Sequence, residues 1–416
     1  MDNERLVDVD KLFAEAKQGD ADAQFVLAER FRSRSALDID DQQAFLWYRR
    51  AAVSGHADAQ FRLARCYSRG NGIAADQEVA LTWYLAAAEQ NHAEAQARLG
   101  WCYQTGTGTR RDMDRALTWY YTASASGNAA SQFSLGDIYA RGTDVVVDID
   151  AALRHWEQAA QQGHARAQMS LALAYTNGDT GLRDFDQAIY WCERAAKSGY
   201  DKAQYNLGLI YANAPPRLQD LERAAFWMRT AASNGLPAAQ YALSRFFERE
   251  LIPESVPGES IKWLRRAAEH GYPKASYRMA MAFDNGERVT ANPQIAMAWL
   301  KRSAEAGYAV AQYELARRHV LMDDPKYTPQ DGLKWYEKAA NQGHLRAQYS
   351  LAVCLASAKG GSRDLSGAYF WMRRAADGGF PKAEHRIRIL EKQLDPDSLR
   401  DARRRLSKKR SAAVID

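Results

Sequence analysis

Four histidines, His56, His92, His164 and His344, share one setting: each follows a glycine or asparagine and opens an Ala- and Gln-containing run. Imidazoles in a set can ligate a metal or carry protons. A metal draws its ligands to about 2 Å from one point. These four stand at multiples of 36 residues. If equivalent segments stack at helix-packing distance, about 10 Å apart, no two imidazoles can share an ion. They read as polar residues at helix starts. Four thiols, Cys66, Cys102, Cys192 and Cys354, could act as nucleophiles, yet no C-x-x-C, H-E-x-x-H or G-x-x-x-x-G-K accompanies them. TGTGTR at Thr105 is glycine-rich without being a phosphate loop, and DVVVDID at Asp144 lacks the Gly and distal Glu of a calcium loop. No acid, base and nucleophile set emerges. The chain reads as non-catalytic, with no cofactor and no metal.

The elements that carry these residues repeat. GHADAQFRLARCY at Gly55 returns as GHARAQMSLALAY at Gly163 and GHLRAQYSLAVCL at Gly343. The turn residue falls at Gly19, Gly55, Asn91, Gly127, Gly163, Gly199, Gly235, Gly271, Gly307, Gly343 and Gly379, always 36 residues apart. A fixed period in this range marks a solenoid. After Gly55, Ala59, Leu63, Ala64 and Tyr67 share one helical face. Gly70 and Gly72 break the chain. EVALTWYLAAAEQ then puts Ala80, Trp83, Tyr84, Ala87 and Ala88 on one stripe. Each unit is helix A, turn, helix B, turn, and stacked units share one core. Alanine pairs such as Ala51/Ala52, Ala87/Ala88, Ala195/Ala196, Ala267/Ala268 and Ala375/Ala376 let helices approach closely. Trp47, Trp83, Trp119, Trp191, Trp227, Trp263, Trp299, Trp335 and Trp371 hold one phase and are expected in the core. His155 occupies that phase beside Trp156, so that repeat should pack differently. The fold class is all-α: an α/α superhelical solenoid of about ten 36-residue helix-turn-helix repeats, without strands.

Ala59, Gln60, Leu63, Tyr67, Gly70, Gly72, Ala80, Trp83, Tyr84 and Ala87 follow the pattern A-x-A-Q-x-x-L-G-x-x-Y, G-x-G, A-x-x-W-Y-x-x-A-A-x-x-G. In this the chain resembles the Sel-one-like repeat family, relatives of the tetratricopeptide repeats. The resemblance implies a protein-interaction scaffold or adaptor. Its bacterial members include regulators, host-interaction factors and immunity proteins, so the alternative is an immunity or antitoxin-type protein that neutralises a secreted effector. A secreted branch of the family carries paired cysteines bridging helices A and B, which this sequence lacks. It also lacks the S-x-x-K of the penicillin-binding activity sometimes associated with that branch.

The array is expected over residues 19–387, as ten full repeats and a final helix A. Residues 1–18 form an N-terminal capping helix, and residues 388–416 a basic helix or tail. The segment after Pro396 departs from the repeat and is expected to be dispensable for the fold. NAPPRL at Asn213, LIPESVPGES at Leu251 and MDDPKYTPQ at Met322 replace the G-x-G turn and should alter loops without breaking the array. No 18-residue apolar run exists, so no membrane insertion is expected. The acidic start MDNERLVDVD is no signal region, and the scattered thiols suit a reducing compartment. These features place the chain in the cytoplasm. With 56 basic against 51 acidic residues, net +5, the composition disfavours nucleic acid as the partner.

On helix A, residues 58, 61, 65, 68 and 69 fall opposite Leu63, which in a tetratricopeptide-like arrangement lines a concave groove. Position 61 and its equivalents read Phe25, Phe61, Ala97, Phe133, Met169, Tyr205, Tyr241, Tyr277, Tyr313 and Tyr349. Either each ring packs on the neighbouring helix A, or part of it stays open to grip a ligand chain. Both can hold, since Tyr joins an apolar body to a polar tip. Position 58 changes sign along the chain, from Asp22, Asp58 and Glu94 to Arg166, Lys202 and Lys274. Arg65, Arg69, Arg141, Arg245 and Arg317 add donors. Aromatics mixed with Arg are what binding hot spots use. The candidate partner-binding residues are Phe61, Arg65, Arg69, Phe133, Arg141, Tyr205, Tyr241, Arg245, Tyr277, Tyr313, Arg317 and Tyr349. The expected partner is another protein, as a peptide segment or a domain. The oligomeric state is not legible.

Overall fold

The computed structural model describes residues 2–33, 40–178, 181, 183–254, 256–322 and 327–412. Among them are 23 helices and no strand. Twenty helices pair as A and B in ten 36-residue repeats. The first pair is Ala21–Arg32 with Asp41–Val53, and the last is Leu345–Ala356 with Leu365–Asp377. Asp2–Lys17 precedes the array; Ala383–Gln393 and Pro396–Ala412 follow it. The chain divides into two compact units, 1–218 and 219–416. In each, a helix packs mainly on its neighbours in sequence, as the nearest-neighbour logic of solenoids requires.

Local sequence explains where helices begin. Helix B starts at an aspartate cap in most repeats; Asp76 Oδ1 accepts from Val79 N at 3.0 Å. Capping of this kind stabilises by about 1 kcal/mol. Helix A of the second repeat, Ala57–Arg69, starts at His56 and ends at Gly70 in the left-handed region, φ 77°. The second turn glycine has a separate reason. A Cβ at Gly72 would stand 2.6 Å from the carbonyl carbon of Asp41, the first residue of the preceding helix B. In the seventh repeat Glu254 replaces the missing aspartate cap and accepts from Gly258 N and Ser260 N at 2.9 and 3.0 Å. The altered loops at Asn213, Leu251 and Met322 leave the helix pairs intact. Ser255 and residues 323–326 of those loops lie outside the described residues.

The buried Gln of helix A clamps one repeat to the last. Gln60 Nε2 donates to Ala52 O at 3.2 Å, Gln96 to Ala88 O at 3.2 Å and Gln168 to Ala160 O at 3.0 Å. The second unit repeats this with Gln240, Gln312 and Gln348. Gln24 donates to Ala16 O at 3.0 Å, so Asp2–Lys17 presents to the first repeat what a helix B presents to later ones.

The core corrects the expectation for tryptophan. Trp47, Trp191 and Trp371 are buried, but the other six in that phase are only half-buried. The centre of the helix-B stripe is the next residue: Tyr48, Tyr84, Tyr120, Trp156 and Cys192 in the first unit, Met228, Leu264, Leu300, Tyr336 and Met372 in the second. One residue is about 100° of helix turn. Tyr84 therefore sits between Ala80 and Ala88, while Trp83 lies on the flank. Lys or Arg three residues on covers many of these indoles: Arg50 over Trp47 at 4.4 Å, Arg266 over Trp263 at 4.8 Å, Lys338 over Trp335 at 4.0 Å. The repeat with His155 keeps the common centre and differs at the flank. Trp156 takes the central position, and His155 lies between Tyr121 and Tyr139.

The segment after Pro396 is also corrected. Pro396–Ala412 packs on helix B of the last repeat. Ala402 is completely buried, and Leu399 and Leu406 join the same cluster. Arg403 Nε donates to Tyr369 Oη at 3.3 Å, and its guanidinium pairs with Glu391 at 3.0 Å. Leu399, Ala402 and Leu406 are three and four residues apart, one helical face hidden in sequence among arginines.

Candidate functional site

The rings at position 61 lean on the residue that opens the next helix A. In the first unit Phe61 stacks on His92 with centroids 4.6 Å apart, and Phe133 on His164 at 4.8 Å. Arg166 covers Phe133 at 4.5 Å, leaving that ring 7% exposed. Phe61 is half-buried, also touches Tyr84 at 5.9 Å, and carries Arg65 over its face at 5.8 Å. Tyr205 is half-buried. Arg141 pairs with Asp137 at 3.3 Å.

The imidazoles serve as caps. Nδ1 of His56, His92, His164 and His344 accepts the N–H three residues on, at 3.3, 3.2, 3.2 and 3.1 Å. That leaves Nε2 to carry the proton of the neutral ring. Nε2 of His56 faces Asp22 at 3.3 Å, and Nε2 of His92 faces Asp58 at 3.2 Å. Burial, then Arg166, holds His164 below its usual value; burial, then Arg346, does so for His344. The four thiols are buried and free. Burial pushes Cys66 and Cys102 up to about 11 and Cys192 to about 12, so none supplies a thiolate near neutrality.

In the first unit the arginines gather toward the C-terminal ends of the first helices A. Glu29 receives Arg32 at 3.0 Å, Arg62 at 2.9 Å and the Tyr48 hydroxyl at 2.5 Å. Arg65 and Arg69 make no ion pair among the described residues. Burial first, then Arg69 and Arg62, lowers the pKa of Arg65. Arg98 lies over Trp101 at 5.4 Å, and Trp101 is 39% exposed.

In the second unit Tyr241 pairs with Tyr272 at 5.2 Å, Tyr277 with Tyr308 at 5.6 Å, Tyr313 with His344 at 5.0 Å and Tyr349 with Phe380 at 4.9 Å. All four tyrosines of position 61 here are half-buried. Arg317 pairs with Glu314 at 2.9 Å, and Arg245 and Arg278 share Glu248. Tyr277, Arg245, Glu248, Arg278 and Met281 line a cavity of about 640 Å³.

The Sel1 repeat profile matches ten consecutive segments, 21–56 through 345–380. The chain belongs to the Sel1 repeat family. A protective antigen of uropathogenic Escherichia coli with an SLR fold is 27% identical, covering 96% of this chain and 94% of that one, with a TM-score of 0.63. A Sel1 repeat protein of Oxalobacter formigenes is 29% identical over 77% of this chain and 94% of its own, with a TM-score of 0.60. An immunity protein of Pseudomonas aeruginosa aligns at 21% identity over 51% of this chain and 81% of its own, with a TM-score of 0.36, too slight a likeness to bear on function. No curated protein matches.

The twelve candidate residues of the Sel1 repeats are divided between the two units. Phe61, Arg65, Arg69, Phe133, Arg141 and Tyr205 belong to the first unit, the other six to the second. Sequence reasoning missed Trp101 and Arg98. The signal was present: position 65 and its equivalents run Glu29, Arg65, Trp101, Asp137, Leu173 and Leu209, with Trp101 and Leu173 exposed. Among the described residues no three His, Cys, Asp or Glu side chains gather as a metal site would need, and no helix is long and apolar enough to cross a membrane.

Proposed function

We propose that this Sel1 repeat protein is a non-catalytic scaffold that binds a segment or domain of another protein along the groove its helices A line. Sel1 repeat proteins typically mediate protein–protein interaction. One observation carries the reading here: the repeated histidines and the cysteines already have structural duties. The four histidines at the helix-A starts are caps and ring-stacking partners, and the thiols are buried and protonated. Toward solvent, helices A carry guanidinium groups and the open parts of aromatic rings among their other polar residues, the chemistry of recognition. Unpaired, buried cysteines support a reducing, cytoplasmic location.

Site-specific photo-crosslinking tests the reading. A benzophenone amino acid at Arg69 or Arg317, exposed on helices A, or at Arg249, exposed at the C-cap of one, should capture a discrete partner in native cells. The same group at Thr82, Lys262 or Lys334 on helices B should not. Capture from the helix-B positions alone would move the site to the other side, and turnover of a substrate by the purified chain would end the non-catalytic reading.

A further inference from the structure

We propose that the helix-A side of the second and third repeats receives an acidic segment of a partner protein, held by Arg65, Arg69 and Arg98 and by the exposed edge of Trp101. This deepens the scaffold reading and rests on it. Ala57–Arg69 and Ala93–Thr105 are consecutive helices A, so their equivalent positions lie about 10 Å apart. Phe61 links the first to the start of the second: it stacks at 4.6 Å on His92, the cap of Ala93–Thr105, carries Arg65 over its face at 5.8 Å and touches Tyr84 of the intervening helix B at 5.9 Å. Burial pushes the Tyr84 hydroxyl up, and the charges of Arg98 and Arg65 both oppose that shift.

The local carboxylates do not neutralise this cluster. Glu29 already receives Arg32, Arg62 and Tyr48. Asp58 faces His92, and Glu94 lies 3.5 Å from the same ring. These acids open the helices, whereas Arg65 and Arg69 close one. Residues 58 and 69 are about 16 Å apart along the axis, beyond a Debye length at physiological salt; Glu94 is only about 6 Å before Arg98 along its helix, but lies against the His92 ring and makes no ion pair with Arg98 among the described residues. Arg65 is half-buried among Arg62 and Arg69 with no anion among the described residues. Crowding like charges out of water is costly, and an incoming carboxylate reverses the sign of that energy. Guanidinium forks suit carboxylates bidentately, and Trp101 offers an apolar anchor.

Observations favour a peptide over nucleic acid. The Phe61 ring is sandwiched between His92 and Arg65, so it is closed to a stacking base. The basic stretch is short, whereas strand-binding proteins use a groove that tracks the backbone.

Fluorescence anisotropy on the full chain tests this with three probes: a labelled twelve-residue Glu/Asp-rich peptide with one Leu, its Gln/Asn counterpart, and a twenty-nucleotide oligo-dT. The acidic peptide should bind at least tenfold tighter than both others. The triple variant R65Q/R69Q/R98Q should weaken it at least tenfold, and Trp101→Ala severalfold, with melting temperatures near that of the parent. R386Q/R388Q, which removes exposed charge in Ala383–Gln393, should change affinity less than twofold. Equal losses in R386Q/R388Q and the triple variant would reduce the effect to net charge and overturn the proposal. So would equal binding of the two peptides, no binding of the acidic one, or tighter oligo-dT binding that depends on the same arginines. A crosslinked partner whose affinity ignores these substitutions would remove this site and leave the scaffold reading standing.

Discussion

Trp156 stands directly over Gly136: a Cβ on that glycine would lie 2.5 Å from the indole Nε1, which donates to Asp137 Oδ1 at 3.2 Å. Equivalent pairs take other sizes. Ala64 accompanies Tyr84, Ala316 accompanies Tyr336, and Gly100 faces Tyr120. The small residue of helix A and the large residue of helix B are therefore one volume shared between two positions. Gly136→Ala should destabilise by about 1–3 kcal/mol through overpacking. Adding Trp156→Tyr, which recreates the Ala–Tyr pair, should recover at least half of that. A double-mutant cycle by chemical denaturation reads the coupling, and additive losses would show the two positions to be independent.

Met228 and Trp227 test which helix-B residue is central. Met228 is completely buried, and Trp227 is half-buried on the flank. Met228→Ala should cost about 2–5 kcal/mol. Trp227→Ala should cost about 1–2 kcal/mol, in line with its partial burial. Hydrogen exchange in Pro237–Glu248, the next helix, should accelerate more for Met228→Ala. A larger effect from Trp227→Ala would restore the tryptophans to the core.

Ending the chain at Asp395 should lower the melting temperature by several degrees. The truncation uncovers the face of Leu365–Asp377 that Leu399, Ala402 and Leu406 protect. Ala402→Arg, which forces a cation into a fully buried site, should have a similar effect, about 2–4 kcal/mol. Unchanged exchange in Leu365–Asp377 after truncation would show that Pro396–Ala412 contributes nothing to the last repeat.

The 36-residue register was legible because every unit solves one packing problem with the same residue types. Ala59, Gln60 and Leu63 recur because each must meet the preceding helix B. Phase within a stripe was less legible. Trp83 and Tyr84 are both aromatic and adjacent, and only the angle of helix B against its neighbours decides which is central. The docking of the closing helix was hidden because three apolar residues in a run of arginines give little signal. The candidate rings were found, but their partners depend on the rise between repeats, which the sequence does not state.

Acid should act through His164 and His344. Both are held below the ordinary 6.5 by burial, then by Arg166 and Arg346 respectively, against the opposing pull of Asp137 and Glu314. A depressed folded value means that the unfolded chain binds the proton more readily. Each ring therefore contributes stability that is present above pH 6.5 and lost as pH falls toward the folded value. His164→Asn with His344→Asn keeps the caps, since Asn128 caps helix A of the fourth repeat through its side chain at 2.9 Å. The double variant should lose part of the wild-type decline below pH 6.5 in denaturation midpoints. An unchanged acid limb would assign that decline to the carboxylates.

Tyr241, Tyr277 and Tyr313 separate packing from recognition, provided two substitutions are compared. Each ring rests on the residue opening the next helix A, at 5.2, 5.6 and 5.0 Å. Edge-on and offset ring pairs contribute about 0.5–1.5 kcal/mol beyond burial, so Ala at all three should loosen the second unit and lower its melting temperature markedly. Phe at all three keeps the stacks and removes only the hydroxyls; the melting temperature should stay within a few degrees of wild type. Affinity for the crosslinked partner, measured by titration calorimetry, then decides. A tenfold or greater loss in the folded triple Phe variant places the hydroxyls in the binding surface. Arg245→Gln and Arg317→Gln, one helical turn along, should mainly slow association and flatten its salt dependence. Full affinity in the triple Phe variant with reduced affinity in the triple Ala variant would confine the tyrosines to holding repeats together, and full affinity in both would take the site off this side of helix A.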